Sequence, residues 1–113
     1  MRRSKYNAVR TGGYASKAEA ARAAELRTLL AAGEIGELQE QPSYVVSPDG
    51  CKPISYRPDF RYVENGITVC EDVKGIETAE FRIKAKLFRW KYPGIEFRIL
   101  RRLRTGFAVE VVA

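Results

Sequence analysis

Asp59 and Asp72 stand on either side of Asn65-Gly66, and Lys74 follows Asp72 by two residues. Asn-Gly between alternating apolar residues signals a hairpin with a two-residue turn. Glu64 then pairs with Ile67, which sets Asp59 opposite Asp72 and Arg57 opposite Lys74. Directly opposed side chains share a face, with Cβ atoms about 4.5–5.5 Å apart. Two carboxylates placed so destabilise a hairpin and raise one pKa unless something offsets their charge. A hard divalent cation does this, because Mg2+ and Mn2+ take one or two carboxylates together with water and phosphate oxygens. Such an ion activates water and stabilises the charge that builds on a phosphodiester. The expected role of Lys74, on the same side as Asp72, is to stabilise the reacting phosphate or orient its water. The same patch also reads as a solvated face in which Arg57, Arg61 and Lys74 neutralise the aspartates without a metal.

Glu19 is the expected third carboxylate. It shares a helical face with Ala23, Leu26 and Leu30, the stripe that should bury against the rest of the domain. Its competing role is local, since Ser16-Lys17-Ala18-Glu19 fits a capping box. Glu71 alternates away from Asp72 and would join the site only through a bulge, an irregularity that Pro58 makes conceivable.

These side chains need elements to hold them. A helix is expected over Lys17–Ala32, capped by Ser16 and stopped by Gly33. Leu38–Pro42 reads as a connection and Ser43–Ser47 as a short extended run, followed by a Pro48-Asp49-Gly50 turn. Ser55–Glu64 and Ile67–Lys74 are the hairpin strands, with Tyr56, Phe60 and Tyr62 expected on one face. A second helix is expected over Glu77–Tyr92, with Thr78 as N-cap and Phe81, Ala85, Phe88 and Tyr92 as its apolar stripe. Lys84 sits on the broad side of that stripe, where it either snorkels to water or meets a phosphate. Pro93-Gly94 ends the helix, and strands follow at Ile95–Leu100 and Phe107–Val112. The expected order is α-β-β-β-α-β-β: an α/β fold with a mixed β-sheet flanked by helices. The expected division is a basic N-terminal arm over 1–15 and a single domain over 16–113.

Charge is unevenly spread. Residues 1–27 carry a net +5, residues 28–81 a net −6, and residues 82–104 a net +8. Two basic flanks around an acidic middle suit a polyanion gripped at both ends with a cation between. The absence of histidine excludes histidine bases and ligands, and two cysteines make neither a disulfide scaffold nor a structural zinc site. No apolar run is long enough to span a bilayer, so no membrane role is expected. The tyrosines at 6, 14, 44 and 56 and Trp90 are candidates for stacking on bases and equally for packing.

Arg57-Pro58-Asp59-Phe60 followed by Glu71-Asp72-Val73-Lys74 resembles the motif of the PD-(D/E)XK nucleases, the restriction-endonuclease-like superfamily. Ser16-Lys17-Ala18-Glu19 with Arg22, the Gln41-Pro42 pair, and Phe81–Tyr92 with Lys84 and Lys86 resemble small phage-encoded members. That group is itself similar to Holliday-junction resolvases. The resemblance covers roughly residues 16–100. It implies a restriction-endonuclease-like sheet with Mg2+ or Mn2+ at Asp59, Asp72 and Glu19, and Lys74 assisting attack on the phosphodiester. Glu71-Asp72 departs from the pattern by offering two acids where one is expected. With the basic flanks it gives a metal-dependent endonuclease acting on DNA, with branched DNA among its expected substrates. Lys17, Arg22, Arg57, Lys84 and Lys86 are the expected nucleic-acid contacts. A chain this small would act as a homodimer on two strands, in the cytoplasm, the host's if phage-encoded. The alternative is a nucleic-acid-binding protein without catalysis.

Overall fold

The computed structural model describes residues 16–112, and the expected N-terminal arm with Tyr6 and Tyr14 lies outside them. Helix α1 (Lys17–Ala31) begins at Ser16, whose side chain accepts a hydrogen bond from the Glu19 N–H. It ends in a Schellman motif, as Gly33 N–H bonds Leu30 and Glu34 N–H bonds Leu29. Gly33 takes φ +77°, the left-handed conformation that this stop requires and glycine tolerates.

The chain then enters β1 (Gly36–Glu40), followed by β2 (Tyr44–Val45), β3 (Ser55–Tyr56), β4 (Phe60–Glu64) and β5 (Ile67–Val73). Helix α2 (Ala79–Lys91) crosses to β6 (Glu96–Arg102), and β7 (Phe107–Val112) closes the order. The five-stranded sheet runs β1-β4-β5-β6-β7 and is mostly antiparallel, with β5 and β6 as its parallel pair. A small β2–β3 sheet stands apart from it.

One core cluster lies under α1, where Ala23 and Leu26 meet Ile35, Phe60, Tyr62 and Val69. The other lies under α2, where Phe81, Ala85 and Phe88 meet Val46, Tyr56, Cys70, Phe97 and Ile99. The sheet is therefore covered on both faces, and β5 runs through its middle with four consecutive buried residues, Val69 to Asp72. Edge-to-face and tilted contacts among Tyr44, Tyr56, Phe88 and Phe97 fill the second cluster.

The hairpin forms as expected. Asn65 and Gly66 both take positive φ, and the ladder pairs Glu64 with Ile67 and Phe60 with Glu71. Several other expectations need correction. Leu38–Pro42 is largely strand, because β1 pairs with β4 across a bulge whose extra residues include Glu37 at φ +51°. Ser55–Glu64 is two strands, because Arg57-Pro58-Asp59 leaves the ladder and the chain changes face there. Tyr56 consequently packs under α2 while Phe60 and Tyr62 pack under α1. The order is thus α-β-β-β-β-β-α-β-β. Leu30 is exposed, and Leu29 packs in its place.

Candidate functional site

Asp59 sits in the bend before β4, and Asp72 is on β5, where it is 2% exposed. The ladder stops one pair short of them, at Phe60 and Glu71. Beyond it the Asp59 carboxylate turns across the gap and its Oδ2 accepts the Val73 N–H at 2.8 Å. The two carboxyl groups lie close together there, near enough for the charge of one to act strongly on the other. Burial first, and the Asp72 charge second, push the Asp59 pKa well above its ordinary value. On the other side, the Tyr56 hydroxyl donates a hydrogen bond to Asp72 Oδ2. Burial and the Asp72 charge raise the Tyr56 pKa far up, so the phenol stays a donor.

Lys74 follows the end of β5. Its Nζ lies 3.5 Å from Asp72 Oδ1 and 4.4 Å from the centre of the Phe81 ring. The ammonium is held between a carboxylate and the negative face of an aromatic ring. Glu19, in the first turn of α1, faces the same region and is 6% exposed. Its pKa is raised by burial and then by the charge of Asp59, while a hydrogen bond from the Gln41 side chain acts in the opposite sense. Glu19 therefore reaches Gln41 and feels the charge of Asp59 besides lying in the first turn.

The structure thus brings Asp59, Asp72 and Lys74 together, with Glu19 near enough to feel the charges of Asp59 and Lys74. It takes Glu71 to the other face of β5. There Glu71 is fully buried, with Arg22 Nε at 2.6 Å, Arg22 Nη2 at 3.0 Å and the Tyr62 hydroxyl at 2.6 Å. Burial opposes the charge of Arg22, but the hydrogen bonds and charge of Glu71 outweigh it and hold the Arg22 pKa high. Arg22 is committed to this pair and to Glu25 at 2.9 Å. The other expected contact residues are dispersed. Lys17 is exposed at the start of α1, and Lys86 is exposed on α2. Lys84 pairs with Glu80 at 3.3 Å. Arg57 does not face Lys74 across a ladder, because the strand has already broken; it donates to Gln41 Oε1 at 3.0 Å. Lys74 N–H instead bonds Leu100 on β6.

Four residues were not assigned to the site by spacing. Tyr56 was a candidate for stacking, and only the break at Pro58 reveals that its hydroxyl reaches Asp72. Gln41 links Arg57 to Glu19 while holding φ +52°, a conformation uncommon for a side-chain-bearing residue. Its N–H also bonds the Asp59 carbonyl, which ties the bend to the end of β1. Arg101 and Arg102 end β6 and line a cleft of about 430 Å³ with Lys74, Val73, Gly75 and Ser16.

Residues 3–105 match the family described as "Protein of unknown function (DUF1064)". The chain belongs to the DUF1064 family. No curated protein and no solved structure shows significant similarity to it.

In this DUF1064 chain the donor set can be tested against a divalent ion. Among the described residues, no group of three or more His, Cys, Asp or Glu side chains is gathered as a ready metal cluster. The arrangement is a pair, Asp59 with Asp72, and Glu19 stands beside it. Oxygen-only donors suit Mg2+ or Mn2+, which commonly use one or two carboxylates and complete their shell with water and phosphate. Two acids close together in a buried setting fit that requirement, since a cation between them offsets the repulsion that raises the Asp59 pKa. No helix of the described residues is long and apolar enough to cross a membrane.

Proposed function

We propose that this DUF1064 protein is a divalent-metal-dependent nuclease that hydrolyses DNA phosphodiester bonds, built on the PD-(D/E)XK plan. One observation carries the reading. Two acidic side chains from different segments are held against each other at the end of β5, and an ammonium lies 3.5 Å from one of them. Such a pair is unfavourable for folding alone and is suited to a hard cation.

Asp59 and Asp72 would hold Mg2+ or Mn2+, with Glu19 as the third carboxylate. A divalent ion there supplies an activated water and charge stabilisation on the phosphate oxygens. The protein's own groups do the rest. Val73 N–H fixes one oxygen of Asp59, and Tyr56 fixes one oxygen of Asp72, so both carboxylates are oriented in advance. Lys74, steadied by the Phe81 ring, is placed to offset negative charge on a reacting phosphate. Lys17, Lys84, Lys86 and Arg57 would hold the backbone of the substrate. Arg22 is set aside from that role, because its guanidinium is engaged by Glu71.

The family resemblance further supports a branched DNA substrate, a homodimer, and action in the cytoplasm of a host cell for a phage-encoded protein. A single monomeric species carrying substrate in analytical ultracentrifugation would remove the dimer. The second reading is a nucleic-acid-binding protein without catalysis. It is favoured by the lack of a gathered three-ligand cluster among the described residues, since Asp59 and Asp72 could then simply share a proton.

A cleavage panel separates the readings. Linear, nicked, flap and four-way DNA are incubated with Mg2+, with Mn2+ and with chelator. The nuclease reading predicts cleavage that needs the metal and disappears in Asp59→Asn while DNA binding survives. No cleavage of any substrate with Mn2+ supplied would reject it in favour of binding alone.

A further inference from the structure

We propose that the cleft between the start of α1 and the carboxyl ends of β5 and β6 binds a backbone phosphate of the substrate strand, neighbouring the phosphate at the acid pair, with Arg102 as its main cation. The assignment of substrate rests on the nuclease reading; the chemistry of the cleft, a cationic pocket for a phosphodiester, does not.

The cleft measures about 430 Å³, and its lining contains Lys74, Arg101 and Arg102 but no acidic residue. That volume lies in the range of roughly 300–1,000 Å³ common to ligand sites. Its two arginines differ. Arg101 is engaged by Glu77, in the segment before α2, and by Glu110 on β7. Arg102 alternates to the opposite face, is exposed, and makes no ion pair among the described residues. It is therefore the cation of the cleft whose charge is not already spent within the fold.

The position of the cleft points the same way. Among the described strands β5 and β6 are the parallel pair, and the cleft opens at their carboxyl ends. Open α/β sheets place ligands in the crevice outside those ends. Lys74 lines the cleft and also lies 3.5 Å from Asp72, so the cleft and the acid pair share a wall. A strand with one phosphate at the acids would thus bring a neighbouring phosphate towards Arg102. Arginine suits this role, because its planar fork can give two hydrogen bonds to one phosphate.

The test uses the full chain in chelator, where nothing is cut. Binding of a short fluorescent DNA strand is measured by anisotropy at several salt concentrations for the unmodified protein, Arg102→Ala and Arg102→Lys. The same strand is then scanned with single uncharged methylphosphonate linkages. Arg102→Ala is expected to weaken binding and to reduce the slope of log K against log salt by about one. Arg102→Lys should keep that slope. One methylphosphonate position should weaken binding by the unmodified protein and have no effect on Arg102→Ala. An unchanged slope in Arg102→Ala, or the same methylphosphonate penalty in both proteins, overturns the proposal. So does an unmodified protein that does not bind the strand. An unchanged slope alongside Mg2+-dependent cleavage by the unmodified protein rejects the cleft and keeps the nuclease. The Arg102 signature without cleavage of any substrate does the reverse.

Discussion

Glu71 and Asp72 are neighbours in sequence, both buried, and treated in opposite ways by the fold. On the α1 face, Glu71 receives both arms of Arg22 and the hydroxyl of Tyr62. Its charge is matched and its oxygens are satisfied, which makes it part of the scaffold. On the α2 face, Asp72 receives Tyr56, lies 3.5 Å from Lys74, and is pressed against Asp59. Sequence offers two adjacent acids, and partners alone decide their roles. A saturated buried carboxylate is structural, whereas one opposed by another carboxylate calls for a cation.

The largest effect that would break this contrast is on cleavage. Asp59→Asn and Asp72→Asn should each reduce metal-dependent DNA cleavage to background in a gel assay, with the fold retained by circular dichroism. Cleavage at the unmodified rate in either variant would move the site elsewhere.

Next in size is stability, where two acid-to-amide changes should differ in sign. Glu71→Gln leaves the half-buried Arg22 guanidinium with only the more exposed Glu25 as counter-charge, and breaking a buried pair costs up to about 3–5 kcal/mol. Asp59→Asn removes the repulsion with Asp72 while an amide oxygen still accepts the Val73 N–H. In chelator at neutral pH, thermal melting should show a lower Tm for Glu71→Gln and a raised one for Asp59→Asn. Equal losses would remove the distinction between the two faces.

A smaller effect concerns pH. Asp59 has a raised pKa in the folded chain, so the folded state binds more protons than the unfolded one above the ordinary carboxylate value of 3.8. Its contribution to stability is full below that value and is lost as pH rises through the raised folded pKa. The metal-free protein should therefore lose Tm across this window, and Asp59→Asn should lose less. Melting curves across a pH series in chelator give the comparison. The smallest effect is at the periphery. Lys86→Ala, at an exposed position on α2, should lower the salt slope of DNA binding by about one without altering cleavage at saturating protein.

The sequence reading reached the parts of the fold governed by local rules. Ser16, Thr78, Gly33 and Asn65-Gly66 mark helix ends and a turn through their own backbone and side-chain chemistry, and the structure uses all of them. The hairpin register followed from that turn, and it brought Asp59 near Asp72. What local rules miss depends on partners distant in the chain. Strand β1 is a polar stretch, GELQE, and becomes a strand because β4 offers an edge to pair with. Pro58 warned of irregularity, but the change of face that sends Tyr56 to Asp72 follows from packing under α2. Arg22 looked like a phosphate contact until its partner, 49 residues away, was visible. The Arg102 cleft depends on β6 lying parallel to β5, a neighbour relation that spacing along the chain does not specify.

If the acid pair binds a divalent ion, calorimetric titration of Mn2+ into the metal-free protein will register it. Binding that Asp59→Asn and Asp72→Asn both abolish, with a metal-induced rise in Tm seen in the unmodified protein alone, is the predicted result. Absence of binding to the unmodified protein, or binding of equal strength in both variants, would mean that Asp59 and Asp72 hold no metal.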